Sequence, residues 1–114
     1  MITQLEIEKS KSHIIVEIIE YIPNRVVSRT IIRKSTGNVT VSSFDAGEGL
    51  EEKISPFDNF IQIIDGSADI IVRDRRHTLV EGEGMVIPAH APHVFSALVQ
   101  FKMISTTIKS GYDD

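Results

Sequence analysis

The stretch Gly82–Ala97 reads Gly-Glu-Gly-Met-Val-Ile-Pro-Ala-His-Ala-Pro-His-Val-Phe-Ser-Ala. Its glycines predict a turn that leads into a short apolar strand, Met85–Ile87, and its two prolines predict a corner after that strand. Another strand is expected just after His93. A corner of this kind allows a β-barrel to direct one polar side chain into an otherwise apolar interior. His93 is the candidate for that position.

A second stretch, Gly47–Gly66, lies upstream and is expected to supply the remaining polar groups of the interior. Within it, Asn59–Ile64 is a nearly continuous apolar run, which predicts a central strand covered on both faces. The Asp65-Gly66 pair predicts a tight hairpin that returns the chain along Ala68–Val72.

The rest of the chain also reads as short strands. The segment from Val26 to Arg33 alternates with a period of two, and the last strand is expected over Phe101–Ile108. Glycine or proline punctuates the chain between the predicted strands, and no helical crossovers separate them. This pattern indicates an all-β barrel or sandwich rather than a parallel α/β sheet.

The N-terminal segment shows a different period. Its apolar residues are Ile14, Ile15, Ile18, Ile19 and Ile22. This spacing predicts a short amphipathic helix, capped by Ser10 or Ser12 and ended by Pro23. The predicted organisation is an N-terminal helical segment over 1–24 that packs on the barrel or on a dimer partner, a barrel over 25–109, and a frayed C-terminus over 110–114.

Composition narrows the classes of function. The chain has 114 residues, a formal charge of −4 and no cysteine, which excludes disulfides, thiolate metal sites and cysteine nucleophiles. The one basic run, Arg73–Arg76, is short and predicts a hairpin turn rather than a nucleic-acid surface. No apolar run is long enough to span a bilayer, and the N-terminus lacks the features of a signal peptide. We therefore expect a cytoplasmic protein that binds neither nucleic acid nor membrane.

The two stretches resemble the motifs of the cupins, a family of small jelly-roll barrels. The first cupin motif is a glycine, five residues, His-x-His, three or four residues, a glutamate, six residues and a glycine. Gly47 and Gly66 match its two ends, and the spacing between them fits without a gap. Lys53 and Ser55 stand at the two histidine positions, and Asn59 stands at the glutamate position.

The second cupin motif is a glycine, five residues, Pro-x-Gly, two residues, a histidine, three residues and an asparagine. Gly82, Pro88 and His93 match it, whereas His90 replaces the glycine and Ala97 replaces the asparagine. The resemblance extends from about Val26 to Ile108. It implies a cupin jelly-roll barrel in a small single-domain protein, and it also implies a homodimer.

The resemblance also implies that an ancestral metal site is degenerate. Lysine carries no lone pair until it loses its proton, and serine and asparagine are neutral oxygen donors, so Lys53, Ser55 and Asn59 are poor replacements for histidines and a carboxylate. We therefore expect no metal and no other cofactor. His90 and His93 are the fallback pair for an ion, although they should diverge at a proline-flanked corner.

The leading hypothesis is metal-independent binding or sensing of a small molecule in the barrel, and an anionic molecule is its sharper form. Lys53 could reach solvent at the barrel mouth, pair with Glu51, Glu52 or Asp58, or meet an anionic ligand. The predicted ligand-binding residues are Lys53, Ser55, Asn59, His93, Ile61, Ile63 and Phe95. The alternative is a cupin enzyme of isomerase, lyase or oxygenase type, with or without a metal, in which His93 acts as general acid or base and Lys53 polarises a carbonyl.

Overall fold

A computed structural model describes residues 6–112 of the chain. Seven antiparallel strands account for most of this part of the molecule. They are β1 (Val26–Lys34), β2 (Gly37–Phe44), β3 (Asp58–Val72), β4 (Arg75–Val80), β5 (Gly84–Ile87), β6 (His93–Ser96) and β7 (Phe101–Ile108). The all-β expectation is confirmed, and the bounds of β7 are those that the sequence predicts.

Two sheets share the long strand β3. Its first part pairs with β7 and β5 and belongs to a sheet in the order β1-β2-β7-β3-β5. Its second part pairs with β4 and β6 to form the opposite sheet. Because one strand passes through both sheets, the sheets face each other as the two walls of a jelly roll.

The hairpin predicted at Asp65-Gly66 is wrong, because β3 runs through this pair without reversing. The pairing with β7 shifts register between Ile63 and Asp65, and Gly66 has a φ of 73°. A Cβ atom added at Gly66 would lie 2.0 Å from the carbonyl oxygen of Gln100. The glycine therefore serves a bulge that bends β3 from one sheet into the other.

The core lies between the two sheets and is built by alternate residues of the strands. Phe44 and Phe101 are fully buried, and their rings stack with centroids 4.3 Å apart. Burial of a side chain of this size contributes about 1.5–3 kcal/mol to folding. Within the run Asn59–Ile64, Ile61 and Ile63 are buried, but Phe60 is 44% exposed. The prediction that this run is covered on both faces is therefore wrong for the described chain.

The amphipathic helix predicted near the N-terminus is also wrong. Residues 6–25 contain a single 3-10 turn, Ile15–Glu17, and are otherwise irregular. The carbonyl oxygens that a helix would use internally accept hydrogen bonds from the sheet instead: that of Ile18 from Arg29 at 3.0 Å, and that of Glu20 from the Ser43 hydroxyl at 2.8 Å. β-Branched residues have low helix propensity, and these tertiary bonds decide the conformation.

The same segment crosses the outer side of the first sheet and is fastened there by polar side chains. The Lys102 ammonium group donates to the carbonyl oxygen of Val16 at 2.6 Å and lies 4.9 Å from the centroid of the Tyr21 ring. The Tyr21 hydroxyl donates to the Asp65 carboxylate at 2.5 Å. Burial, together with this bond to Asp65, raises the pKa of Tyr21 above its usual value.

At the C-terminal end of the described chain, Tyr112 packs against Phe57 with ring centroids 5.9 Å apart. Its hydroxyl accepts a hydrogen bond from the backbone of Asp58. The remainder of the segment predicted to fray, residues 113 and 114, lies outside the described residues. Between residues 6 and 112, no helix is long and apolar enough to cross a membrane.

Candidate functional site

A cavity of about 210 Å³ opens between the two sheets. Both sheets and the β2–β3 connection contribute to its wall. The lining residues are Thr40, Ser42, Leu50, Lys53, Asn59, Ile61, Ile87, His93, Phe95, Met103 and Ser105. No aspartate or glutamate is among them.

Strand register explains why these residues share one face of the first sheet. Thr40 lies opposite Ser105 across β2 and β7, and Ser105 lies opposite Ile61 across β7 and β3. Residues that lie opposite each other in antiparallel strands project to the same side, and residues two apart in one strand do so as well. Asn59 therefore projects to the same side as Ile61.

Lys53 is held in place by His93. The two residues form an isolated antiparallel bridge in which the amide of Lys53 donates to the carbonyl of His93 at 2.9 Å and the reverse bond measures 3.0 Å. Both bonds are made by backbone atoms, so neither side chain is consumed by them. Both side chains leave the bridge on the cavity side.

His93 is 6% exposed and lies beside an aromatic ring. Its ring meets Phe95 edge-on, with centroids 5.7 Å apart. The Nδ1 atom lies 3.0 Å from the carbonyl oxygen of Ala91. A carbonyl oxygen only accepts hydrogen bonds, so Nδ1 carries a proton, and in the neutral ring Nε2 retains its lone pair. Nε2 is thus the polar atom that His93 can offer to the cavity.

Lys53 is exposed although it lines the cavity, which places its side chain at the cavity mouth. Within residues 6–112 it makes no ion pair, so the alternative of a pairing with Glu51, Glu52 or Asp58 is not found. Asp58 instead accepts a hydrogen bond from the backbone of Ala89 at 2.8 Å. The ammonium group remains hydrated and available to a ligand.

Asn59 has one end of its amide engaged and the other available. Its Oδ1 accepts a hydrogen bond from the Thr107 hydroxyl, which fixes the orientation of the amide group. The amide nitrogen is the end left to donate, because Oδ1 is already used as an acceptor. Asn59 therefore adds hydrogen-bond donors to the cavity wall.

Two of the seven predicted ligand-binding residues lie elsewhere. Ser55 is not part of the cavity wall, since its hydroxyl accepts from the amide of Phe57 at 3.1 Å and its carbonyl accepts from His90 at 2.7 Å. Ile63 is fully buried in the core below the cavity. The structure brings the other five together, namely Lys53, Asn59, Ile61, His93 and Phe95.

The hydroxyl residues Thr40, Ser42 and Ser105 were missed by sequence reasoning. Their signal is alternation: Thr40 and Ser42 are two apart on β2, and Ser105 and Thr107 are two apart on β7. That pattern identifies a polar face on β2, but on β7 the same face also carries Phe101 and Met103. Only the pairing of β2 with β7 shows that both faces line the cavity.

Comparison with solved structures assigns the fold. The chain is similar to a conserved protein of unknown function from Streptococcus pyogenes, with 27% identity, a TM-score of 0.88 and 94% of each chain covered. It is also similar to a cupin superfamily protein from Desulfitobacterium hafniense, with 25% identity, a TM-score of 0.86 and coverage of 95% of this chain and all of that one. This chain has the cupin fold. A cupin 2 conserved barrel domain protein from Leptotrichia buccalis is 29% identical, with a TM-score of 0.80, and is matched over 82% of this chain and 46% of its own length. No family model and no curated protein matches this cupin-fold sequence.

The donor atoms of the cavity decide whether this cupin-fold protein could hold a metal ion there. Among residues 6–112, no three or more histidine, cysteine, aspartate or glutamate residues converge. The cavity itself offers one imidazole, one ammonium group, one amide and three hydroxyls. Sites for first-row transition metals combine several imidazole, thiolate or carboxylate ligands, so this donor set does not fit.

The fallback pair for an ion is not brought to one site. His93 lines the cavity, whereas His90 is exposed at the corner and does not line it. His90 has a φ of 69°, and it stands at the position where the second cupin motif has a glycine. The corner thus keeps, at this motif position, a backbone conformation that glycine adopts without strain.

Proposed function

We propose that the barrel cavity binds a small anionic molecule without a metal, and that binding or sensing of this molecule is the function of the protein. One observation carries the proposal: the wall contains a lysine and no carboxylate. An anion entering this space would meet the ammonium group of Lys53 and the amide of Asn59, and no repelling charge. Pockets for drug-sized ligands measure about 300–1,000 Å³, so a cavity of about 210 Å³ suits a smaller molecule.

The position of Lys53 favours anion binding energetically. Its exposed ammonium group stays charged at little cost, because it is not removed from water in the free protein. A ligand carboxylate can then form a charge-assisted hydrogen bond with it, which is stronger than a bond between neutral groups. The backbone bridge to His93 already fixes the main chain of Lys53, so binding has to order only the side chain.

A thermal-shift screen of small organic acids tests the proposal. Acids that bind the cavity should raise the melting temperature of the wild type and should raise that of Lys53→Ala much less. Lys34→Ala is the matched control, because Lys34 is an exposed lysine on β1 that does not line the cavity. If no acid stabilises the wild type more than Lys53→Ala, the proposal fails.

A second candidate is a cupin enzyme in which His93 moves a proton. The supporting observation is the bond from Nδ1 to Ala91, which leaves the Nε2 lone pair of the neutral ring free to accept a proton from a substrate. Lys53, on the same side of the bridge, would polarise a carbonyl group of that substrate. Incubation with 2-keto acids in D₂O tests this candidate, because proton removal next to the carbonyl leads to deuterium incorporation visible by NMR. Exchange should exceed the buffer rate and should disappear in His93→Gln; exchange at the buffer rate rejects the candidate for this substrate class.

A further inference from the structure

Two hydroxyl groups in the cavity wall have no hydrogen-bonding partner within the described chain. Thr40 and Ser105 lie directly opposite each other on β2 and β7, and both line the cavity. The neighbouring hydroxyl of Ser42 is already engaged, since it lies 2.7 Å from the hydroxyl of Ser28. Thr107 is engaged as well, because it donates to Asn59. The wall therefore holds one pair of adjacent, available hydroxyls.

Much of the remaining wall is apolar. Ile61 and Ile87 lie on β3 and β5 of the sheet that carries the two hydroxyls, and Phe95 lies on β6 of the opposite sheet. These three side chains are at least 94% buried and offer no polar atoms. The cavity thus has a pair of hydroxyls, an adjoining apolar surface and a cationic mouth.

We infer that the occupant is a short-chain hydroxy acid, whose carboxylate meets Lys53 and whose hydroxyl meets Thr40 and Ser105. This inference rests on the proposed function and names the class of anion. The carbon skeleton would lie against Ile61 and Phe95, where burial of apolar surface is favourable.

The chemistry of the polar groups favours a hydroxyl over a second carboxylate. A carboxylate can accept from the two hydroxyls but donates nothing, so it leaves the lone pair that Nε2 of the neutral His93 ring offers without a donor. A ligand hydroxyl both donates and accepts, so it can satisfy groups of either kind.

Matched pairs of acids test the inference in the wild type by titration calorimetry. Lactate is compared with propionate, and 3-hydroxybutyrate with butyrate, since each pair differs by one hydroxyl. The hydroxylated acid should bind about five- to tenfold more tightly, as expected for one added hydrogen bond. Equal affinities within both pairs would overturn the inference and leave the proposed function intact. If none of the four acids binds and the wider acid screen is also negative, the proposed function itself fails.

Variants then locate the contact. In Thr40→Val and Ser105→Ala the advantage of the hydroxylated acid should fall to less than twofold, while propionate and butyrate keep their wild-type affinities. Thr106→Val is the control, because Thr106 lies next to Ser105 on β7 and points to the other side of the sheet. Retention of the full preference in both cavity variants would overturn the assignment of the hydroxyl to this pair.

Discussion

Lys53 and His93 lie opposite each other in a two-residue antiparallel bridge whose backbone hydrogen bonds measure 2.9 and 3.0 Å. The bridge joins Lys53, in the β2–β3 connection, to His93, the first residue of β6. It brings the two basic side chains of the cavity wall to the same side. The pairing is the structural basis of the proposed anion site.

The bulge at Gly66 should tolerate a larger residue poorly. We expect Gly66→Ala to lower the free energy of unfolding by about 3 kcal/mol, because it combines positive φ with a steric overlap. Gly82→Ala is the matched control: Gly82 has a φ of 89°, but an added Cβ would meet nothing within 4 Å. Gly82→Ala should lower the free energy of unfolding by only about 1 kcal/mol. Urea denaturation measures both, and equal losses would contradict the role of the bulge.

Replacement of His90 by glycine should stabilise the corner. His90 is exposed and has a φ of 69°, a conformation that disfavours residues with a Cβ atom. We expect His90→Gly to raise the free energy of unfolding by about 0.5–1 kcal/mol. Ala89→Gly, one residue earlier and without positive φ, should lower it instead. A loss of stability in His90→Gly would show that the imidazole has a structural role at the corner.

Tyr21 should ionise at unusually high pH. The chain has two tyrosines and no tryptophan, so absorbance near 295 nm reports tyrosine ionisation alone. The pKa of Tyr21 is raised in the folded state, so above a pH of about 10 the unfolded chain loses this proton before the folded chain does. Stability from Tyr21 is therefore complete below pH 10 and falls as pH rises further. The late absorbance step should vanish in Tyr21→Phe; complete ionisation of both tyrosines near pH 10 in folded protein would contradict the contact with Asp65.

The homodimer stays a prediction, and one surface suits it. A row of side chains crosses the outer face of the first sheet through consecutive strand pairs: Ile32, Val39, Thr106, Phe60 and Val86. Ile32, Phe60 and Val86 are 44%, 44% and 56% exposed, so a second copy could bury them. Sedimentation equilibrium should show a dimer in the wild type and more monomer in Phe60→Ser. A wild type that is monomeric at 100 µM or so would rule out the stable dimer of the size class usual for such interfaces.

The sequence predicts strands better than connections, for physical reasons. Glycine and proline mark where strands end, and alternation within β2 identifies its polar face without tertiary information. The hairpin at Gly66 could not be distinguished from a bulge, because both need positive φ at glycine. The helix predicted around Ile15 does not form, because hydrogen bonds from Arg29 and Ser43 to backbone carbonyls outweigh the helical spacing of the apolar residues.

Some residues of the site can be predicted from the sequence and others cannot. Lys53, Asn59 and His93 reach the cavity because the spacing of the two motifs preserves the side on which each residue lies. Ser55 departs because the pairing with β6 does not continue past the Lys53 bridge, and its carbonyl bonds to His90 at the corner instead. The pair Thr40 and Ser105 depends on contact between strands that are distant in sequence, which alternation alone does not reveal.

The most direct test of the central claim is calorimetric titration of chelator-treated protein with the acid that gives the largest thermal shift. We expect the wild type to bind it with the same affinity before and after removal of metal, and Lys53→Ala to bind it at least tenfold more weakly. Lys34→Ala should match the wild type. Binding that requires added Zn²⁺, Mn²⁺ or Fe²⁺, or that is equal in Lys53→Ala, would contradict an anion site built on Lys53.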